Sequence, residues 1–157
     1  MSLREELLER VKAYGFDRVR ICAYDGATPR MEAYDSWLER GDHGGLVYLE
    51  TGRDVRAAAS GRLPEAKSVL VLGIDHHHEV PPDPGGLTGR VARYAWGRDY
   101  HNLVGKRLKR LLRDFRQDGI GCWGGVDTAP IFERSWAQRA GLGFAGKNTL
   151  QIVPATT

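Results

Sequence analysis

Residues 67–74 read KSVLVLGI, a short and continuous apolar run that the chain enters from Pro64. A run of this length, bounded by a proline and by polar residues, is typical of a strand that is buried on both faces. Residues 17–24 alternate between polar and apolar side chains, which predicts a second strand. The sequence therefore predicts a sheet that contains these two segments.

Apolar residues at helical spacing surround the two strands. They predict helices over residues 2–14, 29–40, 99–115 and 132–140, each with a glycine shortly after its end. A last strand is predicted over residues 149–153. This mixture of helices and strands in one short chain predicts a single domain of the α/β (α+β) class.

Composition narrows the class of protein. The chain has 157 residues, of which 41% are hydrophobic and 27% are charged, as in ordinary globular domains. No apolar stretch approaches the roughly 18 residues that a membrane-spanning helix needs. The two cysteines, Cys22 and Cys122, lie far apart and form no CxxC motif, so neither a disulfide framework nor a cysteine metal site is supported. We expect a cytoplasmic protein.

Basic residues are concentrated in the third predicted helix, although the net charge of the chain is only +3. Such a surface could attract the phosphates of a polyanion, or it could simply be a solvated helix face. The residues concerned are Lys106, Arg107, Lys109, Arg110, Arg113 and Arg116.

Asp127 is the main candidate for chemistry. It follows an apolar run, residues 122–126, for which a strand is expected, and a carboxylate at a strand end is held in place yet open to a ligand. Its neighbours Val126 and Ile131 are apolar, and the loss of water around the carboxyl would favour its protonated, proton-donating form. A second interpretation is that Asp127 caps the helix that follows Pro130. Both interpretations can hold together.

Residues 141–149 read GLGFAGKNT and contain the GxGxxG spacing of a dinucleotide-binding loop. The segment follows a predicted helix and precedes a strand, whereas a dinucleotide loop follows a strand and opens a helix. We therefore interpret it as a tight connection in which Lys147 and Asn148 are available to the polar groups of a ligand.

Two further segments carry alternative interpretations. Residues 93–101 read RYAWGRDYH, and they are either a helix-capping segment around Asp99 or an aromatic wall against a flat ligand. His76, His77 and His78 are consecutive, and consecutive side chains on an extended strand point to alternating faces. We therefore expect no metal site from the triplet.

Four sequence blocks, taken in order, resemble the N-terminal domain of epoxyqueuosine reductases, the cobalamin- and iron-sulfur-dependent enzymes of the last step of queuosine formation on tRNA. The blocks are residues 63–69, 93–101, 126–130 and 140–149. The resemblance implies a nitroreductase-like mixed sheet flanked by helices. It also implies that residues 1–157 are one cobalamin-binding catalytic domain that reduces epoxyqueuosine to queuosine in the tRNA anticodon.

The resemblance also implies roles for single residues. Asp127 would be the proton donor beside base-off cobalamin, and the basic residues of the third helix would contact tRNA phosphates. The residues implied to hold the corrin are Arg56, Ala92, Tyr94, Arg134, Lys147, Asn148 and Gln151.

The chain also departs from the family pattern. The family continues into a ferredoxin-like domain whose cysteines hold two [4Fe-4S] clusters, and residues up to Thr157 contain no such cysteines. We therefore expect this chain to be the N-terminal part of a longer enzyme. Two alternatives stay open at this point: a cobalamin carrier, and a flavin-binding relative without reductase activity.

Overall fold

The computed structural model describes residues 2–57, 59–77 and 79–154. Helix α1 spans Leu3–Lys12 and begins with a capping box, in which the Ser2 hydroxyl accepts from the backbone N–H of Glu5 and the Glu5 carboxylate accepts from that of Ser2. The chain turns at Gly15, with φ of +85°, and enters strand β1, Arg18–Ala23. The predicted first helix and first strand are confirmed.

Strand β2, Ser68–Gly73, pairs antiparallel with β1, so that Val19 lies opposite Leu72 and Ile21 opposite Leu70. The prediction of a strand at this position is confirmed, but the prediction that both of its faces are buried is wrong. Its residues are half-buried or exposed, because β1 is its one partner among the described residues and no layer covers the sheet completely on either side.

Three short helices connect these strands: α2 (Met31–Glu39), α3 (Val47–Thr51) and α4 (Arg53–Ala57), followed by a 3-10 turn at Ala59–Arg62. A bidentate pair between the Arg53 guanidinium and the Asp35 carboxylate, at 2.8 and 2.6 Å, joins α4 to α2. The Tyr34 hydroxyl donates to the carbonyl of Leu49 at 2.8 Å and so joins α2 to α3.

Helix α5, Tyr100–Gln117, is the longest helix of the described chain. Its apolar stripe packs on α1 and the sheet, as the helical spacing predicts, and forms the core with residues from both. The buried core consists of Val11, Phe16, Val19, Leu111 and Phe115. The Arg107 guanidinium also donates to the carbonyl of Gly15 at 2.5 Å, which fixes α5 against the end of α1.

Helix α6, Glu133–Arg139, buries Trp136, whose ring lies 5.7 Å from that of Tyr24 after β1. A small antiparallel hairpin follows, made of β3 (Phe144–Ala145) and β4 (Gln151–Ile152). The last strand is therefore shorter than predicted, and β3 lies inside the segment that we interpreted as a simple connection.

Residues 121–126 form no strand, which corrects the prediction of a strand before Asp127. Gly121, Gly124 and Gly125 weaken strand formation, and the segment packs along α5 instead of pairing with a strand. The Cys122 thiol donates to the carbonyl of Leu112 at 3.4 Å, and the Arg116 guanidinium donates to the carbonyl of Cys122 at 3.0 Å.

The observed class is α+β, as predicted. The four strands found in residues 2–57, 59–77 and 79–154 form two antiparallel pairs, and no parallel pair completes the expected mixed sheet within those ranges. In the same ranges, no helix combines the length and the apolar character that crossing a membrane requires.

Candidate active site

Asp127 lies in the loop between α5 and α6, with φ of +43°. Aspartate and asparagine adopt this left-handed conformation more readily than most residues. The Asp127 side chain is 39% exposed, so the expected desolvation by its apolar neighbours is wrong, and the carboxylate lies at the surface. Its surroundings are set by hydrogen-bonding groups instead.

The first turn of α5 supplies two of these groups. The Tyr100 hydroxyl donates to Oδ2 of Asp127, and Nε2 of His101 lies 3.0 Å from the same oxygen. The hydrogen bond to the carboxylate, with some burial, raises the pKa of Tyr100 to about 12, so that the phenol keeps its proton. The Tyr100 and His101 rings stack at 4.2 Å.

Asp99 orients His101 from the other side. The Asp99 carboxylate caps α5 by accepting from the backbone N–H of His101 at 2.9 Å, and it lies 2.7 Å from Nδ1 of the same residue. This contact lowers the pKa of Asp99 and, together with the Asp127 charge, raises the pKa of His101. The imidazole therefore bridges two carboxylates.

Glu133, the first residue of α6, holds the backbone of the Asp127 loop. Its carboxylate accepts from the N–H of Asp127 at 2.8 Å. Burial of that carboxylate among protein atoms raises the pKa of Glu133, although the residue as a whole is exposed. Asp127 is thus held through its side chain by α5 and through its backbone by α6.

A cleft of about 450 Å³ opens beside Asp127, between α5 and the loop. Its floor is apolar, and the glycines leave room where side chains would otherwise fill it. The lining residues are His101, Gly105, Leu108, Lys109, Leu112, Gly124, Gly125, Val126 and Thr128. The cleft is therefore mostly apolar, with Lys109 and His101 among its lining residues, and it lies next to Asp127.

Helix α6 also positions the β3–β4 hairpin, which contains three of the residues implied to bind a corrin. The Arg134 guanidinium donates to the carbonyl of Thr149, and the Gln138 amide donates to Oε1 of Gln151 at 3.4 Å. Nε2 of Gln151 is buried and has no partner among the described residues. Lys147 and Asn148 lie in the connection between the two strands, so α6 links them to the Asp127 loop.

Ala92 and Tyr94 belong to the segment that leads into α5. Ala92 precedes a 3-10 turn, Arg93–Ala95, and the Tyr94 side chain is 60% exposed. The Tyr94 ring stands edge-on to the Tyr100 ring at 6.3 Å, which extends the aromatic surface away from Asp127. The capping interpretation is confirmed, because Asp99 caps the helix, whereas the aromatic wall against a flat ligand stays a prediction.

Within the described chain, no contact links Arg56 to the residues around Asp127. It lies on α4, where its guanidinium sits 6.0 Å from the Tyr48 ring centre and its carbonyl accepts from the Thr28 hydroxyl at 2.7 Å. Its predicted role in binding a corrin stays a prediction, because the geometry around Asp127 does not include it.

The histidine triplet follows β2 on the surface. His76 and His77 are exposed, and Nδ1 of His77 lies 3.1 Å from the Arg93 guanidinium. His78 lies outside the described residues. Within the described ranges, no group of three or more histidine, cysteine, aspartate or glutamate side chains converges on a possible metal position.

Three of the six basic residues of α5 have contacts within the described chain. Arg107 is engaged with Gly15, Arg113 pairs with Asp114 at 2.8 Å, and Arg116 donates to Cys122. The three residues that remain are Lys106, Lys109 and Arg110, which are exposed and make no hydrogen bond or ion pair with the rest of the described chain.

Sequence reasoning singled out Asp127 and missed its partners. His101 and Tyr100 stand 26 and 27 positions earlier in the chain, and only folding brings them to the carboxylate. A local signal did exist for Glu133, because an acid at the first position of a predicted helix can turn back to accept from the loop before it.

The α+β domain thus presents a candidate ligand-binding site, in which a surface carboxylate lies between a phenol, an imidazole and an open cleft. Residues 56–128 match the sequence model of a family described as "Epoxyqueuosine reductase QueG, DUF1730". This match includes both Arg56 and Asp127.

Comparison with known proteins extends the match to nearly the whole chain. An epoxyqueuosine reductase of Synechococcus sp. (strain CC9605) is 36% identical over 97% of this chain and 48% of its own length, and one of Gloeobacter violaceus is 36% identical over 94% and 46%. A solved epoxyqueuosine reductase with an epoxyqueuosine-modified tRNA-Tyr stem loop superposes with a TM-score of 0.75 at 28% identity, over 97% of this chain and 41% of that one. The chain is similar to epoxyqueuosine reductases along nearly its whole length, and it spans about half the length of the curated relatives that it matches.

The structure of epoxyqueuosine reductase from Bacillus subtilis, with a TM-score of 0.74 at 27% identity over 97% of this chain and 41% of that one, has its catalytic aspartate loop swung out of the active site.

Proposed function

We propose that this chain is the catalytic part of an enzyme that reduces epoxyqueuosine to queuosine in the tRNA anticodon, with Asp127 as the proton donor. The observation that carries the proposal is the Asp127 carboxylate, which is exposed at the edge of a cleft and contacted by Tyr100 and His101, while Glu133 holds the Asp127 backbone. Support comes from relatives that are named epoxyqueuosine reductases and from the relative solved with an epoxyqueuosine-modified stem loop.

The reaction needs an acid at this position. Reduction of an epoxide to an alkene consumes two electrons and two protons and releases the oxygen as water, and negative charge develops on that oxygen as each carbon–oxygen bond breaks. A carboxylic acid within hydrogen-bonding distance neutralises this charge by giving up its proton. Asp127 has the exposure that such a contact with substrate requires, and its left-handed backbone lies in a loop of the kind that moves in the Bacillus subtilis relative.

The proposed cofactor is base-off cobalamin, which supplies the reducing electron pair when it is bound. A corrin has a broad apolar plane and a fringe of amides that need hydrogen-bond partners. The residues fit such a group, because the exposed Tyr94 ring offers a flat surface and the buried, unpartnered Nε2 of Gln151 offers a donor. Lys147 and Asn148 would add polar contacts, and Arg134 would act by holding the hairpin that carries them.

The remaining parts of the proposal concern partners. The exposed Lys106, Lys109 and Arg110 would contact the tRNA backbone. The reaction would take place in the cytoplasm, where tRNA is available. The [4Fe-4S] clusters expected in the parent enzyme would deliver electrons from outside the described residues.

An anaerobic titration with cob(II)alamin, followed by absorption and electron paramagnetic resonance, tests the cofactor. We expect stoichiometric binding with a base-off spectrum, and weaker binding by the Gln151→Ala variant. Gln117→Ala, at the exposed end of α5, is the matched control and should bind as the unmodified chain does. A folded chain that binds no cobalamin, or that binds a flavin in its place, would contradict the assignment.

A further inference from the structure

His101 occupies a position that the proposed role of Asp127 does not explain. Its imidazole bridges two carboxylates, with Nδ1 2.7 Å from Asp99 and Nε2 3.0 Å from Asp127. A capping residue needs only the backbone N–H of His101, which Asp99 already accepts. The side chain is also 43% exposed, so it exchanges protons with water directly.

A residue that donates a proton must be protonated again before the next turnover. Carboxyl groups are generally ionised at neutral pH, so a carboxyl that acts as an acid needs a neighbour that delivers a proton to it. We propose that His101 is this neighbour: it transfers the proton on Nε2 to Oδ2 of Asp127, while Asp99 fixes the orientation of the ring. The inference rests on the proposed function of Asp127 as the acid.

The transfer is balanced in atoms and charge. The Nε2–H bond of the imidazolium breaks, an O–H bond forms on Asp127, and both groups become neutral. The neutral imidazole then takes a new proton from water at Nε2, while its Nδ1–H stays hydrogen-bonded to Asp99. No electrons are exchanged, and His101 is a proton-supplying and positioning residue, because it acts on the substrate only through Asp127.

The other titratable groups around His101 are less suited to this role. Tyr100 also touches Oδ2, but with a pKa of about 12 it keeps its proton and serves as a fixed donor. Lys109 lines the same cleft two turns along α5, and Glu133 contacts the backbone of Asp127 rather than its carboxylate. Among the described groups, His101 combines an exchangeable proton with direct access to Asp127.

The first test is a nitrogen-15 NMR titration of the histidines in this chain, with His101 assigned from the His101→Gln variant. The account predicts that His101 is protonated up to a higher pH than an ordinary histidine, and that its neutral form carries the proton on Nδ1. Asp99→Asn keeps a good helix cap but removes the charge, and it should lower the His101 midpoint. Asp54→Asn, an exposed carboxylate on α4, is the matched control and should leave it unchanged.

An ordinary His101 midpoint that Asp99→Asn does not move would overturn the proposal. So would a neutral form that carries its proton on Nε2, because the ring would then not be oriented by Asp99. This titration needs neither cofactor nor tRNA. A failure here therefore overturns the role of His101 alone, whereas a failure of the cobalamin titration overturns the proposed function.

The second test is the pH profile of epoxide reduction by the cobalamin-loaded chain with an external reductant. His101→Gln should lower the rate by about 100-fold near neutral pH, the lower end of the usual acid–base contribution. It should also remove the fall in rate as the pH rises through the His101 midpoint. A His101→Gln profile that keeps this fall at the same pH would overturn the proposal, since a residue of structural importance only would scale the profile without changing its shape.

Discussion

Substitutions at Asp127 can separate the effect of its backbone conformation from the effect of its carboxylate charge. Its φ of +43° is readily adopted by asparagine, whereas alanine in the left-handed region costs about 1 kcal/mol. We predict that Asp127→Asn unfolds in urea close to the unmodified chain and that Asp127→Ala is about 1 kcal/mol less stable. Equal destabilisation of the two variants would show that the carboxylate charge, and not the backbone, stabilises the loop.

His101 should give the fold a pH-dependent stability. Its contacts with Asp99 and Asp127 raise the pKa of the folded state above that of the unfolded chain. The stabilisation is therefore complete below the unfolded pKa of about 6.5 and is lost as the pH rises through the higher folded value. Urea midpoints measured across this window should fall, and His101→Gln should remove that part of the fall. His77→Gln, beside Arg93, is the control that should retain it.

At the residue scale, the sequence predicted the acid but not its surroundings. Asp127 could be identified because a carboxylate among apolar residues is unusual, yet that same argument predicted burial, and the carboxylate is exposed. Hydrogen bonds across 26 or more positions, such as that from Tyr100, depend on how α5 docks on the loop. Local patterns carry no information on this docking.

At the element scale, the loop before Asp127 depends on a close approach at Gly125. A Cβ atom at Gly125 would lie 2.3 Å from the Cβ of Ala129, whereas one at Gly124 would lie 3.4 Å from a Leu108 methyl group. Gly125→Ala should therefore displace the loop and lower epoxide reduction by at least 10-fold, about 1.4 kcal/mol in transition-state terms. Gly45→Ala is the matched control, because a Cβ there would meet nothing within 4 Å and the residue lies outside the cleft. Similar rates for the two variants would mean that the loop adjusts without moving Asp127.

The helices were predictable because the apolar stripes of α1 and α5 have a clear period and are bounded by caps, Ser2 and Asp99. The strands were less predictable, because tertiary contacts decide whether an apolar run pairs with another strand. Residues 121–126 pack on α5 through Cys122, although an apolar run there suggests a strand. Strand β3 requires Gly143 to approach β4 so closely that a Cβ would lie 2.0 Å from the carbonyl oxygen of Ile152. That requirement becomes visible only once the hairpin is formed.

At the scale of the whole molecule, the exposed basic residues of α5 define the surface proposed for tRNA. Lys106 and Arg110 lie one helical turn apart, and neither pairs with another described residue. If both contact phosphates, Lys106→Glu with Arg110→Glu should weaken binding of an epoxyqueuosine stem loop and reduce the slope of log K against log salt by about 1.5 to 2.

The control for this surface is a pair of substitutions with the same change in charge, Arg4→Glu with Lys12→Glu on α1. It changes the overall charge equally, so it reports the long-range part of the attraction. If both pairs of substitutions lowered the salt slope to the same extent, binding would depend on net charge and the α5 surface would not be the contact.

The most direct test of the account is a single-turnover measurement with the cobalamin-loaded chain, an external reductant and an epoxyqueuosine-containing stem loop, in which the modified nucleoside is followed by mass. The unmodified chain should form queuosine. Asp127→Asn should bind cobalamin equally well and form queuosine at least about 100-fold more slowly, because it has no proton to give. Turnover by Asp127→Asn at the rate of the unmodified chain would contradict the assignment of Asp127 as the proton donor.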